Sequence, residues 1–255
     1  MNLVDTHCHL DVADFDQDRE SVLAHCRAKG IDRIVVPAVD REGWDNLLEL
    51  CAHEAGLYPA LGLHPIYLEK HTDRDVADLE RYLSHAGVIA VGEIGLDYYI
   101  SELDQRRQKQ LFEQQLVMAR NASLPVLLHV RKAHDDILMK LKKIKVKGGI
   151  AHAFNGSLQQ AQQYIDLGFR LGFGGMLTYE RSSKIRKLAQ ELPLESIVME
   201  TDAPDMTVSS HHGQRNSPEY LDECVQSLAE IRNISPEEVA KQTTQNACTV
   251  LGLKC

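Results

Sequence analysis

The chain has 255 residues, 44% hydrophobic and 25% charged, with a formal net charge of −9. These values fit a globular protein with a sizeable core, and the length fits one α/β barrel. The acidic balance argues against a broad basic surface for nonspecific nucleic-acid binding, MNLVDTHCHLD lacks the segments of a signal peptide, and no apolar run approaches the roughly 18 residues of a membrane span, so a cytoplasmic protein is expected.

Two signals alternate along the chain. Short β-rich apolar runs occur at LVDTHCHL, IDRIVVPAV, LYPALGLHP, VIAVGEIGLD, LPVLLHVR, GGIAHAF, FRLGFGGML and SIVMETDAP. Between them lie segments of helical period: Trp44, Leu47, Leu48 and Cys51 share one face, as do Leu111, Phe112, Gln115, Leu116 and Ala119, and Leu221, Val225 and Leu228. Gly30 stands where a helix-ending glycine belongs, and Ser157 can cap the segment after AHAFNG. Ser217 before Pro218 reads as a cap and first helical position, and Ser235 to Glu238 as a capping box. Eight strand candidates, each followed by a helical segment, predict a single (β/α)8 TIM barrel over residues 1–255. A doubly wound open sheet is the alternative. The scattered cysteines (Cys8, Cys26, Cys51, Cys224, Cys248, Cys255) form no CxxC pair and are expected to be reduced. Lys140, Lys142, Lys143, Lys145 and Lys147 read as a solvated helix end and loop.

The polar exceptions fall at the ends of these strands, where a barrel of this type carries its active site. His7 and His9 end the first run, two apart and therefore on one face, with Cys8 on the other. His64 ends the third run in GLHP, Glu93 the fourth, His129 the fifth, His152 the sixth and Asp202 the eighth. A lone strand-end histidine is ordinarily a satisfied polar group, and a lone acid a turn residue. A closed barrel gathers all of these ends into one ring, which points to a shared metal site. So many ligands suit two divalent ions about 3.5–4 Å apart, bridged by a carboxylate and able to activate water. Imidazole with carboxylate suits zinc, manganese or iron(II), and magnesium when carboxylates and substrate oxygens dominate.

DTHCHL, GLHP, GEIGLD, LLHVR, AHAFNG, ETDAP and QRNSP, in this order, resemble the successive signatures of the TatD family of metal-dependent deoxyribonucleases, which belongs to the amidohydrolase-like barrels. The resemblance covers essentially the whole chain. It implies that His7 and His9 hold a first ion, His129 and His152 a second, that Glu93 bridges, and that Asp202 ligates or acts as general base. HAFNG and ETDAP depart from the commoner HCFSG and ETDSP, at positions that carry no expected ligand. His64 either meets a substrate phosphate, serves as general acid, or fixes the loop before Pro65. Arg131 and Arg215 are candidates to hold phosphate, with surface ion pairing as the alternative. Asp97 is expected to orient a ligand histidine, and Asn216 to order the last loop. Tyr98 and Tyr99 either stack on a base or pack. Asp5 is left to a supporting role.

The resulting expectation is a hydrolase that cleaves DNA phosphodiester bonds in an exonuclease-like manner by metal-activated hydroxide, with magnesium or manganese in action and zinc as a further option. DNA ends or short single strands are the expected substrate, with no membrane or protein partner and a monomeric state. Hydrolysis of a small amide, an ester or a D-aminoacyl-tRNA on the same metals is the alternative, and a noncatalytic metal-binding module is the alternative from another class.

Overall fold

The computed structural model describes residues 2–85 and 87–254. Its eight strands are β1 (Leu3–Asp5), β2 (Ile31–Pro37), β3 (Leu57–Leu61), β4 (Ala90–Asp97), β5 (Val126–Arg131), β6 (Gly149–Ala151), β7 (Phe169–Phe173) and β8 (Ile197–Met199). Around them lie α1 (Arg19–Ala28), α2 (Trp44–His53), α3 (Asp73–Tyr82), α4 (Gln105–Ala122), α5 (His134–Ile144), α6 (Leu158–Asp166), α7 (Ser183–Glu191), α8 (Leu221–Arg232) and α9 (Pro236–Leu251). The strands pair in chain order from β1 to β8, all parallel. This is the expected (β/α)8 barrel rather than an open doubly wound sheet. Strands buried on both faces explain why runs such as AVGEIGLD read as continuously apolar instead of alternating.

Local chemistry sets the helix ends. Ser157 with Gln160 forms a reciprocal capping box, as Thr72 with Asp75 does for α3. Ser235 accepts from the Glu238 N–H ahead of Pro236, and Gly252 ends α9 at φ 70°. Ser217 and Pro218 take the expected cap and first helical positions, but without a side-chain capping hydrogen bond. Pro218–Tyr220 forms a 3-10 turn, and the Ser217 hydroxyl is buried without a hydrogen-bond partner among the described residues. Cys8, Cys26, Cys51 and Cys224 are free, as expected, but Cys248 is in a disulfide, which corrects the all-reduced expectation. Cys255 lies outside the described residues.

The ninth helix closes the end of the barrel away from the strand C-termini. Val4, Val35, Ala60, Ala90, Leu127, Ile150 and Val198 point into the barrel and pack with Ala247, Cys248 and Leu251 of α9. Asn246 of α9 donates to the carbonyls of Leu194 and Ile197, tying the plug to the start of β8. Among the described residues no helix is long and apolar enough to cross a membrane.

The join between the last and first strands is made largely by loops and side chains. The Thr6 N–H donates to the Met199 carbonyl at 3.1 Å, Asp202 N–H to His7 at 2.8 Å and His9 N–H to Ala203 at 2.8 Å. Behind this join Asp5 is fully buried and accepts from His7 N–H (3.1 Å), Thr201 N–H (3.0 Å) and the Thr201 hydroxyl (2.5 Å). Burial raises its carboxyl to about 7, against the pull of those donors. Asp5→Ala strands these buried donors and is expected to lower the unfolding free energy by roughly 3 kcal/mol, read as a shifted urea midpoint. Asp5→Asn, which keeps an acceptor, should cost less.

Candidate metal centre

The barrel gathers the expected residues at one rim, but not all by the expected route. β1 is laddered only to Asp5, so His7 and His9 lie beyond it, past a bend at Thr6. There Thr6 N–H reaches Met199 of β8, Cys8 N–H reaches Val35 of β2 and His9 N–H reaches Ala203, so regular strand alternation is interrupted at Thr6, yet both histidines face the centre with Nε2 turned to Glu93. Glu93 stands within β4, not at its end, where the ladder to β5 shifts register between Val91 and Ile94. This irregularity aims the side chain along the barrel axis toward the rim residues. A Cβ on Gly62 would lie 2.7 Å from the Gly92 carbonyl carbon, so only glycine lets the GLHP turn pass over the Glu93 segment. Lys132, Ala153, Asp202 and Met206, on the loops after β5, β6 and β8, all hold positive φ, so backbone strain collects at this rim.

Glu93 sits at the centre, 1% exposed. Its Oε2 faces Nε2 of His7 at 3.2 Å and of His9 at 3.5 Å. Its Oε1 faces His129 Nδ1 at 2.9 Å, His152 Nε2 at 2.9 Å and His64 Nε2 at 3.1 Å. One oxygen thus addresses the two histidines that follow β1, and the other addresses His64, His129 and His152. Asp202 closes the first group, its Oδ1 3.7 Å from Nε2 of both His7 and His9. His129 Nδ1 and His152 Nε2 lie 3.5 Å apart. Donor atoms converging at such distances can take up cations.

Groups behind the ring orient it. His9 Nδ1 lies 3.0 Å from the Pro37 carbonyl, which can only accept, so Nδ1 carries a proton and Nε2 is the nitrogen turned to the centre. His129 Nε2 meets Asp97 Oδ2 at 3.0 Å, and the other Asp97 oxygen accepts from the N–H groups of Tyr99 and Ile100. Asp97 therefore orients a ring histidine, as the sequence suggested. Glu200 was not anticipated. It is 2% exposed, its Oε1 accepts from Ala153 N–H at 2.6 Å and lies 3.9 Å from His152 Nδ1, and its Oε2 has no partner among the described residues. A Cβ on Gly172 would sit 2.0 Å from that Oε2, so the strand leaves room for this acid. The signal was available: Glu200 and Asp202 stand two apart, the same spacing as His7 and His9.

The electrostatics follow from one buried anion among imidazoles. Burial opposes ionisation of Glu93, but His64, His152 and His7 outweigh it and hold the carboxyl well below its usual range. Burial lowers His7 to about 3 and His64 to about 4. It also disfavours charge on His9 and His152, yet the surrounding carboxylates lift them to about 9 and about 10. Burial raises Glu200 to about 8 and pushes Asp202 upward.

The ring opens into a cleft of about 930 Å³. Arg131 lines it, with its guanidinium 3.7 Å over the ring of exposed Tyr99. Tyr98 is instead tied down, its hydroxyl donating to Asp136 at 2.7 Å. Arg215 is not brought to the cleft: it pairs with both Asp18 oxygens at 2.9 and 2.7 Å and lies over Phe15. Asn216 orders the last loop by donating to Thr201 and Asp205 carbonyls. In the lysine cluster, Lys140 and Lys143 pair with Glu113, at the end of α5 away from the rim.

The sequence matches the family described as TatD related DNase over residues 4–252. It is 41% identical over 253 residues to YjjV, an uncharacterized metal-dependent hydrolase of Escherichia coli K12, covering 98% of each chain. It is 34% identical over 247 residues to YabD, one of Bacillus subtilis 168, covering 96% of this chain and 97% of that one. The crystal structure of the E. coli YjjV protein, described as a TatD homolog, superposes with a TM-score of 0.95 at 40% identity, covering 99% of this chain and 98% of that one. A TatD family hydrolase from Entamoeba histolytica, 19% identical, shares the fold with a TM-score of 0.85 over 98% of each chain.

His9 and His152 hold protons through neutral pH because their pKa values are raised, and those protons must leave before the nitrogens can bind a cation. Adding zinc or manganese to ion-free protein at pH 7 should therefore release protons. Apparent affinity should rise with pH by about tenfold per unit for each proton released, and level off above about 10. Calorimetry in two buffers of different ionisation enthalpy reads both effects. Binding without proton release would show that these two imidazoles are already neutral in the ion-free protein.

Proposed function

The chain belongs to the TatD related DNase family, and from that premise we propose that it is a metal-dependent hydrolase that cleaves phosphodiester bonds of DNA, working at ends or on short single strands. The observation that carries the reading is the divided aim of Glu93, one oxygen toward His7 and His9 and the other toward His129 and His152. Two divalent cations fit this donor set of imidazole nitrogens and carboxylate oxygens. His7, His9 and Asp202 would hold one, His129 and His152 the other, with Glu93 between them. When bound, the cations supply Lewis acidity at water and at the phosphoryl oxygens.

The chain's own groups do the rest. Water oxygen attacks phosphorus as the bond to the leaving oxygen breaks. The Asp202 carboxylate, made more basic by burial, accepts the proton that water gives up. The leaving oxygen takes a proton from solvent. Asp97 holds His129 in place. Arg131 at the cleft wall suits a phosphate by charge-assisted hydrogen bonds, and exposed Tyr99 suits a base. Arg131 is the one permanently cationic side chain among the described residues that line the cleft, which suits a short contact with the strand rather than a long duplex.

The cleft mouth supports a second reading. Ile66, Ile100, Met176 and Met206 give it apolar walls, and these suit an uncharged amide or ester on the same ions. The discriminating measurement is hydrolysis of end-labelled single-stranded DNA with magnesium or manganese, run beside lactone, amide and D-aminoacyl-tRNA substrates. DNA cleavage that Glu93→Ala abolishes is expected. Arg131→Ala should raise KM about tenfold, the loss of one charge-assisted contact worth ~1.5 kcal/mol. A metal-loaded protein inert on DNA but active on an amide or ester would move the assignment to the second reading.

A further inference from the structure

His64 stands in the same ring as the other histidines but with the opposite polarity. The Ile66 backbone N–H, which can only donate, points at His64 Nδ1 from 3.2 Å. Nδ1 is therefore an acceptor, and the proton of the neutral ring sits on Nε2. Nε2 lies 3.1 Å from Glu93 Oε1 and so donates to it. Neither nitrogen then has a lone pair to offer a cation. His9 is the contrasting case, since its Nδ1 donates to a carbonyl and its Nε2, once it gives up its proton, has a lone pair for a cation.

The loop that imposes this polarity is clamped from several sides. The Gln115 side chain of α4 accepts from Leu63 N–H at 2.8 Å and donates to the Leu63 carbonyl at 3.1 Å. His71 Nε2 donates to the His64 carbonyl at 2.8 Å, and Trp44 Nε1 to the Gly62 carbonyl at 3.3 Å. His64 is 4% exposed, so rotation of its ring would bury a broken hydrogen bond at each end.

We propose that His64 is a positioning residue: a fixed N–H donor that holds Oε1 of Glu93 toward His129 and His152, and not a metal ligand despite its place in the ring. The catalytic consequence rests on the hydrolase reading above, whereas the ring polarity does not. A carboxylate that must address two cations at once has a soft rotation about its terminal bond, and a donor on one oxygen removes that freedom.

Nitrogen NMR of isotope-labelled histidine, in ion-free and zinc-loaded protein, reads the polarity directly. The expected result is a His64 ring protonated at Nε2 in both states, with no coordination shift on either nitrogen. His64→Ala should bind as many zinc ions per chain as the parent. Its kcat should fall about 10–100-fold while KM stays within about threefold, and His64→Gln, whose amide N–H can reach the same oxygen, should recover most of the loss. A coordination shift at His64, the loss of one ion from His64→Ala, or an unchanged kcat overturns the proposal. If the parent binds zinc yet hydrolyses nothing, the functional reading falls alone, because ring polarity and ion count still decide the role of His64.

Discussion

One buried negative charge organises the molecule. Glu93 is enclosed inside the barrel mouth, and an ionised carboxylate there is costly unless cationic or hydrogen-bonding groups face it. Five imidazoles do so, from segments as far apart in sequence as His7 and His152. Bringing these segments within reach of two oxygen atoms requires the strand ends to lie on a ring, and the parallel barrel supplies that ring. The register shift in β4 and the glycine at position 62 serve the same demand, since each lets the carboxylate reach the axis without a steric clash.

Behind the ring lies a second layer of acceptors that decides what each imidazole presents to the centre. Pro37 and Asp97 fix the rings of His9 and His129 from the rear. Glu200 stands behind His152, close but not yet in hydrogen-bond contact. His7 Nδ1 has no partner among the described residues. The rear layer is therefore strongest around the β2 and β4 segments and loosest at β8.

Much of this was legible in the residues. The alternation of apolar runs with helical faces is a local pattern, and eight repeats of it leave little choice of architecture. Period-two spacing placed His7 and His9 on one side, and both do meet Glu93 even though the ladder stops at Asp5. What escaped was non-local. Glu93 was read as a strand end because a register shift leaves no mark in composition. Glu200 escaped although its spacing to Asp202 repeats that of the histidines. Arg215 was left between a phosphate contact and a surface ion pair, and sequence spacing could not reveal that Asp18 pairs with it across nearly two hundred residues of chain. The plug formed by α9 was likewise invisible, because an amphipathic helix does not announce which surface it will cover.

The join between β8 and β1 carries a consequence for assembly. Asp5 is matched to Thr201 across 196 positions, and the first two ring histidines meet Asp202 over the same seam. A loop of that length closes late, since chain entropy opposes it until the intervening units are in place. On a ribosome, the seven earlier strands can be made and begin to fold while His7 and His9 still lack their opposite wall. A chain stopped short of β8 lacks Thr201 and Asp202, and with them the partner of Asp5 and the acid that faces His7 and His9.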